Sequence, residues 1–267
     1  MHTSRFELTV LGSRGSIAVG GAEYSEFGGS TSCYMVRAGD ETVFLDAGSG
    51  LLSAPETYAR PPVILLSHLH LDHVIGLGMS PLLSQKDQPV SLYVPFCEDK
   101  NAAVSQLERV YSPPLWPVKL DELGAALQIR PLPGRFAVGE LQIEAIPGRH
   151  PGGCMVFKLS CAGRSLVYAS DYEHGAFDPE LTAFCQGADL LLYDAQFDAA
   201  EYERKKGYGH STAEKGLELM EAAGIRRLLL IHHDPKSTDS VLRTRGEKLL
   251  SDRASYAREG QVIVIAA

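Results

Sequence analysis

Four metal-ligating side chains fall within six consecutive positions directly after an apolar run: Val63–Leu66 leads into Ser67-His68-Leu69-His70-Leu71-Asp72-His73. In an extended backbone, side chains alternate with period two, so His68 and His70 project to one side and can share one cation. A turn into helix at Asp72 would carry that carboxylate and His73 out of the strand direction, toward a second cation beside the first. Imidazole and carboxylate suit zinc, manganese or iron. A lone histidine is an ordinary core or surface residue, but this density is not ordinary. Three further candidates lie just beyond apolar runs: His150 follows Leu141–Ile146, Asp171 follows Leu166–Ala169, and His232 follows Arg227–Ile231. Open α/β sheets hold ligands in crevices outside the carboxyl ends of their strands, so the recurrence has a geometric reason.

The runs themselves are short, rich in β-branched and aromatic residues, and closed by Gly, Pro, Asp or His, which predicts strands. They lie at Phe6–Leu11, Ser32–Arg37, Thr42–Leu45, Val63–Ser67, Val90–Val94, Leu141–Ile146, Cys154–Leu159, Ser165–Ala169, Leu190–Tyr193, Arg227–Ile231 and Val262–Ile265. Helical spacing predicts Asp99–Tyr111, with Val104, Leu107 and Val110 on one face, and Thr212–Ala223, with Leu217, Leu219 and Met220 together. Ser211 with Glu214 reads as the N-cap signal of the second helix and Gly224 as its stop. The Pro-rich stretch from Ser112 to Pro117 and the turn Leu132–Gly134 read as connections between two halves, because no linker composition accompanies them. The pattern is α/β, two packed sheets covered by helices, and a chain of 267 residues of this kind is expected to fold as one domain.

A formal charge of −8 disfavours a large nucleic-acid partner, since nonspecific binding depends on neutralising phosphates. The cysteines, Cys33, Cys97, Cys154, Cys161 and Cys185, number five and form no CxxC pair, so they read as buried apolar residues rather than disulfides or zinc ligands. The start, MHTSRFELTV, has no secretory pattern, and no run approaches the ~18 apolar residues of a membrane span, so a cytoplasmic location without membrane contact is the expectation.

HLHLDH, a later isolated His, then Asp, then His, resembles the HxHxDH…H…D…H pattern of metallo-β-lactamase-fold hydrolases over nearly the whole chain, and Gly28–Cys33 (GGSTSC) and Phe44–Gly50 (FLDAGSG) look like that family's openings. The resemblance implies a four-layer αββα sandwich of two mixed β-sheets flanked by helices, holding two divalent metal ions, zinc first and manganese or iron otherwise. It implies that His68, His70 and His150 bind one metal, that Asp72, His73 and His232 bind the other, and that Asp171 bridges them. Asp46 would orient a ligand from behind. Of the adjacent pair His232 and His233, His232 is the expected ligand because it directly follows the strand.

True β-lactamases of this fold carry Cys where Asp171 stands, and the diiron members carry Glu where His70 stands, so neither activity fits. Gly209–Glu214 (GHSTAE) is similar to the corresponding segment of ribonuclease Z and its phosphodiesterase relatives, with Asp194 in LLYDAQF as the acidic partner of His210. The expected reaction is hydrolysis of a small or cyclic phosphodiester. Two cations roughly 3.5 Å apart would share a hydroxide whose pKa falls from about 15.7 toward ~7. Asp72, His210 and Asp194 form the catalytic set, with His210 protonating the leaving oxygen. The alternatives are a lactone, thioester or ester hydrolase and a nuclease of the ribonuclease Z type. That enzyme's tRNA-gripping arm generally lies between the third metal-binding His and the bridging Asp, where this chain has room only for a hairpin. Relatives of this type often form homodimers.

Overall fold

The structure, a computed structural model, describes residues 5–175, 178–249 and 251–266. The strands are β1 (Phe6–Gly12), β2 (Cys33–Ala38), β3 (Glu41–Leu45), β4 (Val63–Leu65), β5 (Pro89–Val94), β6 (Ala126–Pro131), β7 (Arg135–Val138), β8 (Leu141–Gly148), β9 (Cys154–Cys161), β10 (Arg164–Ala169), β11 (Leu190–Asp194), β12 (Arg227–Ile231), β13 (Ala254–Tyr256) and β14 (Val262–Ala266). The α-helices are α1 (Leu71–Val74), α2 (Pro81–Ser84), α3 (Lys100–Glu108), α4 (Pro179–Cys185), α5 (Ala199–Arg204), α6 (Ala213–Ala222) and α7 (Asp239–Leu249). They build two seven-stranded mixed sheets, ordered β14-β1-β2-β3-β4-β5-β6 and β13-β12-β11-β10-β9-β8-β7.

Period two decides which face each side chain joins. Tyr34, Val36, Val63 and Leu65 of the first sheet meet Leu166, Tyr168, Leu190 and Leu192 of the second in one buried layer. The intervening residues turn outward: Met35 and Ile64 pack with Val74, Leu82 and Leu107 of the helices on one side, and Val167 and Leu191 pack with Leu181, Leu219 and Met220 on the other. Both faces of each central strand are therefore apolar, and the result is the αββα sandwich. Among the described residues no helix is long and apolar enough to cross a membrane.

Strands β3, β4, β5 and β6 run parallel, as do β10, β11, β12 and β13, while β8 and β9 pair antiparallel beside β10. Hence β8 has the same direction as β10, and the carboxyl ends of β3, β4, β8, β10, β11 and β12 deliver the residues that follow them to one rim.

Three expectations change. Thr212, not Ser211, is the N-cap of α6, accepting from the Lys215 amide, so Glu214 sits one position too early for a capping box. Ser211 instead donates to Tyr193 Oη and meets His174 Nδ1. Helix α3 stops at Glu108, leaving Val110 outside it. The turn Leu132–Gly134 does join the two sheets, between β6 and β7, but residues 112–117 lie within the first half.

Candidate metal centre

The turn after β4 divides the HLHLDH segment as its spacing requires, because α1 begins at Leu71 with His70 as its N-cap residue. His68 and His70 stay on the extended segment, while Asp72 and His73 sit on the helix. Two groups of donor atoms result. In the first, His68 Nε2 and His150 Nε2 lie 3.8 and 3.7 Å from Asp171 Oδ1, and His150 Nε2 is 3.0 Å from His70 Nδ1. In the second, His73 Nε2 and His232 Nε2 lie 3.0 and 3.2 Å from Asp171 Oδ2 and 3.3 and 3.2 Å from Asp72 Oδ2. Asp171 thus turns one oxygen toward each group.

Four of the five imidazoles are fixed by their other nitrogen. His68 Nδ1 meets Ser67 Oγ at 3.0 Å, His150 Nδ1 donates to the Gly209 carbonyl at 2.8 Å, His73 Nδ1 to Asp46 Oδ2 at 2.7 Å and His232 Nδ1 to Gln196 Oε1 at 3.1 Å. In the neutral ring, such outer partners select the tautomer whose unprotonated nitrogen faces the group. Among the described residues, His68 Nε2 is buried with no hydrogen-bond partner, a cost of about 1–3 kcal/mol that a ligand would remove. In the second group, donor atoms 3.0–3.3 Å apart match the roughly 3.3 Å edges of a tetrahedron with bonds of ~2.0 Å. The residues therefore fit a divalent cation in each group.

Electrostatics separate the two. Burial, with the neighbouring imidazoles, holds His68 well below the ordinary histidine range, and burial also lowers His70 and His150. For His73, burial alone would lower the pKa, but Asp171, Asp72 and Asp46 overcome it and raise the pKa well above its usual value. His232 is likewise raised to about 9, chiefly by Asp171 acting against burial. Burial pushes the Asp72 and Asp171 carboxyls up, yet the facing imidazoles hold both below the usual range. His233 points away: its Nε2 donates to Ala257 O at 2.9 Å, and burial and Arg14 lower its pKa to about 3.

Beside the second group, His210 Nδ1 lies 2.8 Å from Asp194 Oδ2, and Asp194 Oδ1 accepts from the Gln196 and Ser211 amides at 3.0 and 3.1 Å. Asp171, Asp194, His210 and His232 also form a donor group within 4.8 Å, in which Asp194 Oδ1 holds two backbone amides and Oδ2 holds His210. All the sequence candidates converge here. Gln196, Ser67 and the Gly209 carbonyl were not legible as participants, since nothing about an amide, a hydroxyl or a peptide oxygen marks it as the holder of an imidazole. Nearby, Lys205 lies over the Phe197 ring at 4.2 Å and Lys206 pairs with Glu203 at 2.8 Å.

Residues 41–233, which contain every one of these side chains, match the family described as Beta-lactamase superfamily domain. A probable metallo-hydrolase of Bacillus subtilis, YhfI, is 24% identical over 244 residues, covering 87% of this chain and 92% of that protein. A ribonuclease Z of Ignicoccus hospitalis is 25% identical over 270 residues, covering 83% and 87%. The crystal structure of the YhfI metallo-β-lactamase fold protein from Bacillus subtilis aligns with TM-score 0.73 at 19% identity over 98% of this chain and 99% of that one. A diphosphatase of the PhnP family aligns with TM-score 0.72 at 18% identity over 97% of each. Fold, donor pattern and kinship agree, and the chain belongs to the metallo-β-lactamase-fold hydrolases of the beta-lactamase superfamily, near the ribonuclease Z branch.

Proposed function

We propose that this hydrolase is a dinuclear metal-dependent phosphodiesterase acting on a small or cyclic phosphodiester. The observation that carries the reading is the His210–Asp194 pair, 2.8 Å apart beside a carboxylate shared by two donor groups. His68, His70, His150 and Asp171 would hold one cation, and Asp72, His73, His232 and Asp171 the other, with zinc first and manganese or iron as alternatives. When bound, such a pair makes water nucleophilic at neutral pH and neutralises charge developing on phosphoryl oxygens.

The chain's own task is then the proton. A phosphodiester leaves an alkoxide that must be protonated, and histidine titrates in the range that can supply it. Asp194 holds Nδ1 of His210, so the proton moves from Nε2 to the departing oxygen and the ring keeps its Nδ1–H bond. Stacking on His232, with ring centroids 4.9 Å apart, and edge contact with Phe197 at 5.6 Å keep the ring from rotating.

Replacing His210 by Ala is expected to depress cleavage of alkyl phosphodiesters by about 10²–10⁴-fold while largely sparing nitrophenyl diesters, whose leaving groups need no proton. Metal content should be unchanged. Equal losses on both substrates would overturn the assignment, and loss of metal would make His210 a ligand. A second reading, nuclease action on RNA, draws support from the ribonuclease Z relatives. Against it stand the net charge of −8 and the β9–β10 hairpin between His150 and Asp171, which carries no insertion. A tRNA gel shift weakening steeply with salt would favour it. A lactone hydrolase is separated by the same His210 variant, which would retain its activity on lactones.

A further inference from the structure

Glu173 lies two residues beyond Asp171, belongs to neither donor group and is half-buried. Its carboxylate accepts two backbone amides of one turn: Oε1 from Gly207 at 2.6 Å and Oε2 from Gly209 at 2.9 Å. Its own amide donates to the Arg149 carbonyl at 2.7 Å, next to His150. The Gly209 carbonyl accepts from His150 Nδ1 at 2.8 Å, and His210 is the following residue. One carboxylate therefore ties together the strand end that carries Asp171, the loop that carries His150 and the turn that carries His210.

The turn needs such a tie. Gly207 and Gly209 have φ of 88° and 90°, a conformation open to glycine but not specified by it, so the backbone there has little resistance of its own to reorientation. Among the described residues, these two amides have no hydrogen-bond acceptor other than Glu173. The turn is also laid directly against the ligand, since a Cβ at Gly209 would fall 2.1 Å from His150 Nδ1. A shift of a few tenths of an ångström would lengthen the bond that selects the His150 tautomer.

We propose that Glu173 is a positioning residue: it clamps the Gly207–Gly209 turn so that the Gly209 carbonyl holds His150 with its proton on Nδ1 and its Nε2 free for metal, and so that His210 is set against Asp194. The proposal rests on the reading in which His150 is a ligand and His210 the proton donor. Carboxylates accepting backbone amides make strong, charge-assisted bonds, and the bidentate arrangement adds direction. Neutral Gln at this position can accept from only one amide, because its NH2 would face the other N–H.

The test compares Glu173→Ala and Glu173→Gln with Glu203→Ala, which removes the Lys206 partner and leaves the turn untouched. Zinc affinity, measured by competition with a chelator, is expected to weaken about 10–100-fold at one of the two cations in Glu173→Ala, with an intermediate loss in Glu173→Gln and none in Glu203→Ala. Ring ¹⁵N shifts of His150 in the metal-free protein should change from a single Nδ1–H tautomer to a mixture. Alkyl phosphodiester cleavage should fall more than nitrophenyl cleavage, in the direction of the His210 variant. Unaltered zinc affinity together with an unaltered His150 ring spectrum would overturn the proposal. If Glu173→Ala fails to fold by circular dichroism, Glu173→Gln decides alone, by the same two readouts. Failure of the His210 leaving-group test would remove the phosphodiesterase reading but leave these metal and tautomer readouts decisive for Glu173.

Discussion

Asp46 offers the sharpest single-atom perturbation of this centre. It is fully buried and accepts four hydrogen bonds: Oδ1 from the Ser67 amide at 2.6 Å, and Oδ2 from His73 Nδ1 at 2.7 Å, Ser67 Oγ at 2.7 Å and Tyr168 Oη at 2.6 Å. Asp46→Asn keeps the volume but replaces one acceptor by two donors. With the NH2 on the Oδ2 side, the Ser67 and Tyr168 hydroxyls can rotate to accept, but His73 cannot. It could accept only by moving its proton to Nε2, the nitrogen that faces Asp72, Asp171 and His232. With the NH2 on the Oδ1 side, it confronts the Ser67 amide, which cannot turn, and a buried donor is left unpaired at about 1–3 kcal/mol. Either orientation works against a cation at the second group. The expected outcome is a loss of about 10–100-fold in zinc affinity at one equivalent, or roughly 1.4–2.7 kcal/mol, with the other equivalent unchanged. Chelator competition measures both steps, and urea unfolding of the metal-free protein measures the folding cost separately. Wild-type affinity at both equivalents in a folded Asp46→Asn protein would refute the argument that this carboxylate sets the His73 tautomer.

Asp171→Ala should release at least one metal, measured by elemental analysis of the purified protein, because its two oxygens serve both groups; two full equivalents retained would remove it from the ligand set. Metal uptake should also depend on pH unequally. His73 and His232, the latter with a pKa of about 9, carry protons in the metal-free protein at neutral pH, whereas His68, His70 and His150 are held low by burial. Zinc at the second group must displace those protons, so its affinity should rise by up to ~tenfold per pH unit for each proton displaced, below pH 9. Calorimetry in buffers of different ionisation enthalpy would count the protons, and none released would contradict the assignment.

The sequence disclosed the buried strands far better than the edges, for a physical reason. Every central strand was legible, because its residues are apolar on one or both faces. The three missed strands, β6, β7 and β13, all stand at sheet edges. In β6 and β7 most side chains are exposed or half-exposed, and β13 has only three residues. Short or polar helices escaped for the same reason: α7 buries only Asp239 and Leu242. In the site, donors were legible because their residue types and their positions after strands coincide. Their holders were not, since Gln196 and Gly209 act through an amide oxygen and a peptide carbonyl that any sequence supplies. The Ser211 cap reading failed because two adjacent hydroxyl residues can both cap, and only the backbone shows that Thr212 has the non-helical conformation directly before α6.

What the sequence could not reveal at all is the backbone strain on which the site is built. Asp46, Asp171 and His232, just beyond β3, β10 and β12, have φ of 58°, 53° and 60°. For residues with a Cβ this region costs about 1–2 kcal/mol each. Glycine would relieve the cost but would supply neither carboxylate nor imidazole, so at these positions the turn-forming residue must also carry the polar side chain that the site uses. The conformation breaks the period-two alternation of the strand, which lets a residue one or two positions beyond its last apolar side chain face the crevice. Surrounding bonds hold the strained forms: four donors fix Asp46, Ser170 Oγ and two imidazoles meet Asp171 Oδ2, and Gln196 fixes His232. Strain concentrated at the ends of rigid, parallel strands persists because the sheets cannot relax around it. The outcome is that Asp171 and His232 face the candidate donor groups while Asp46 faces His73 from behind.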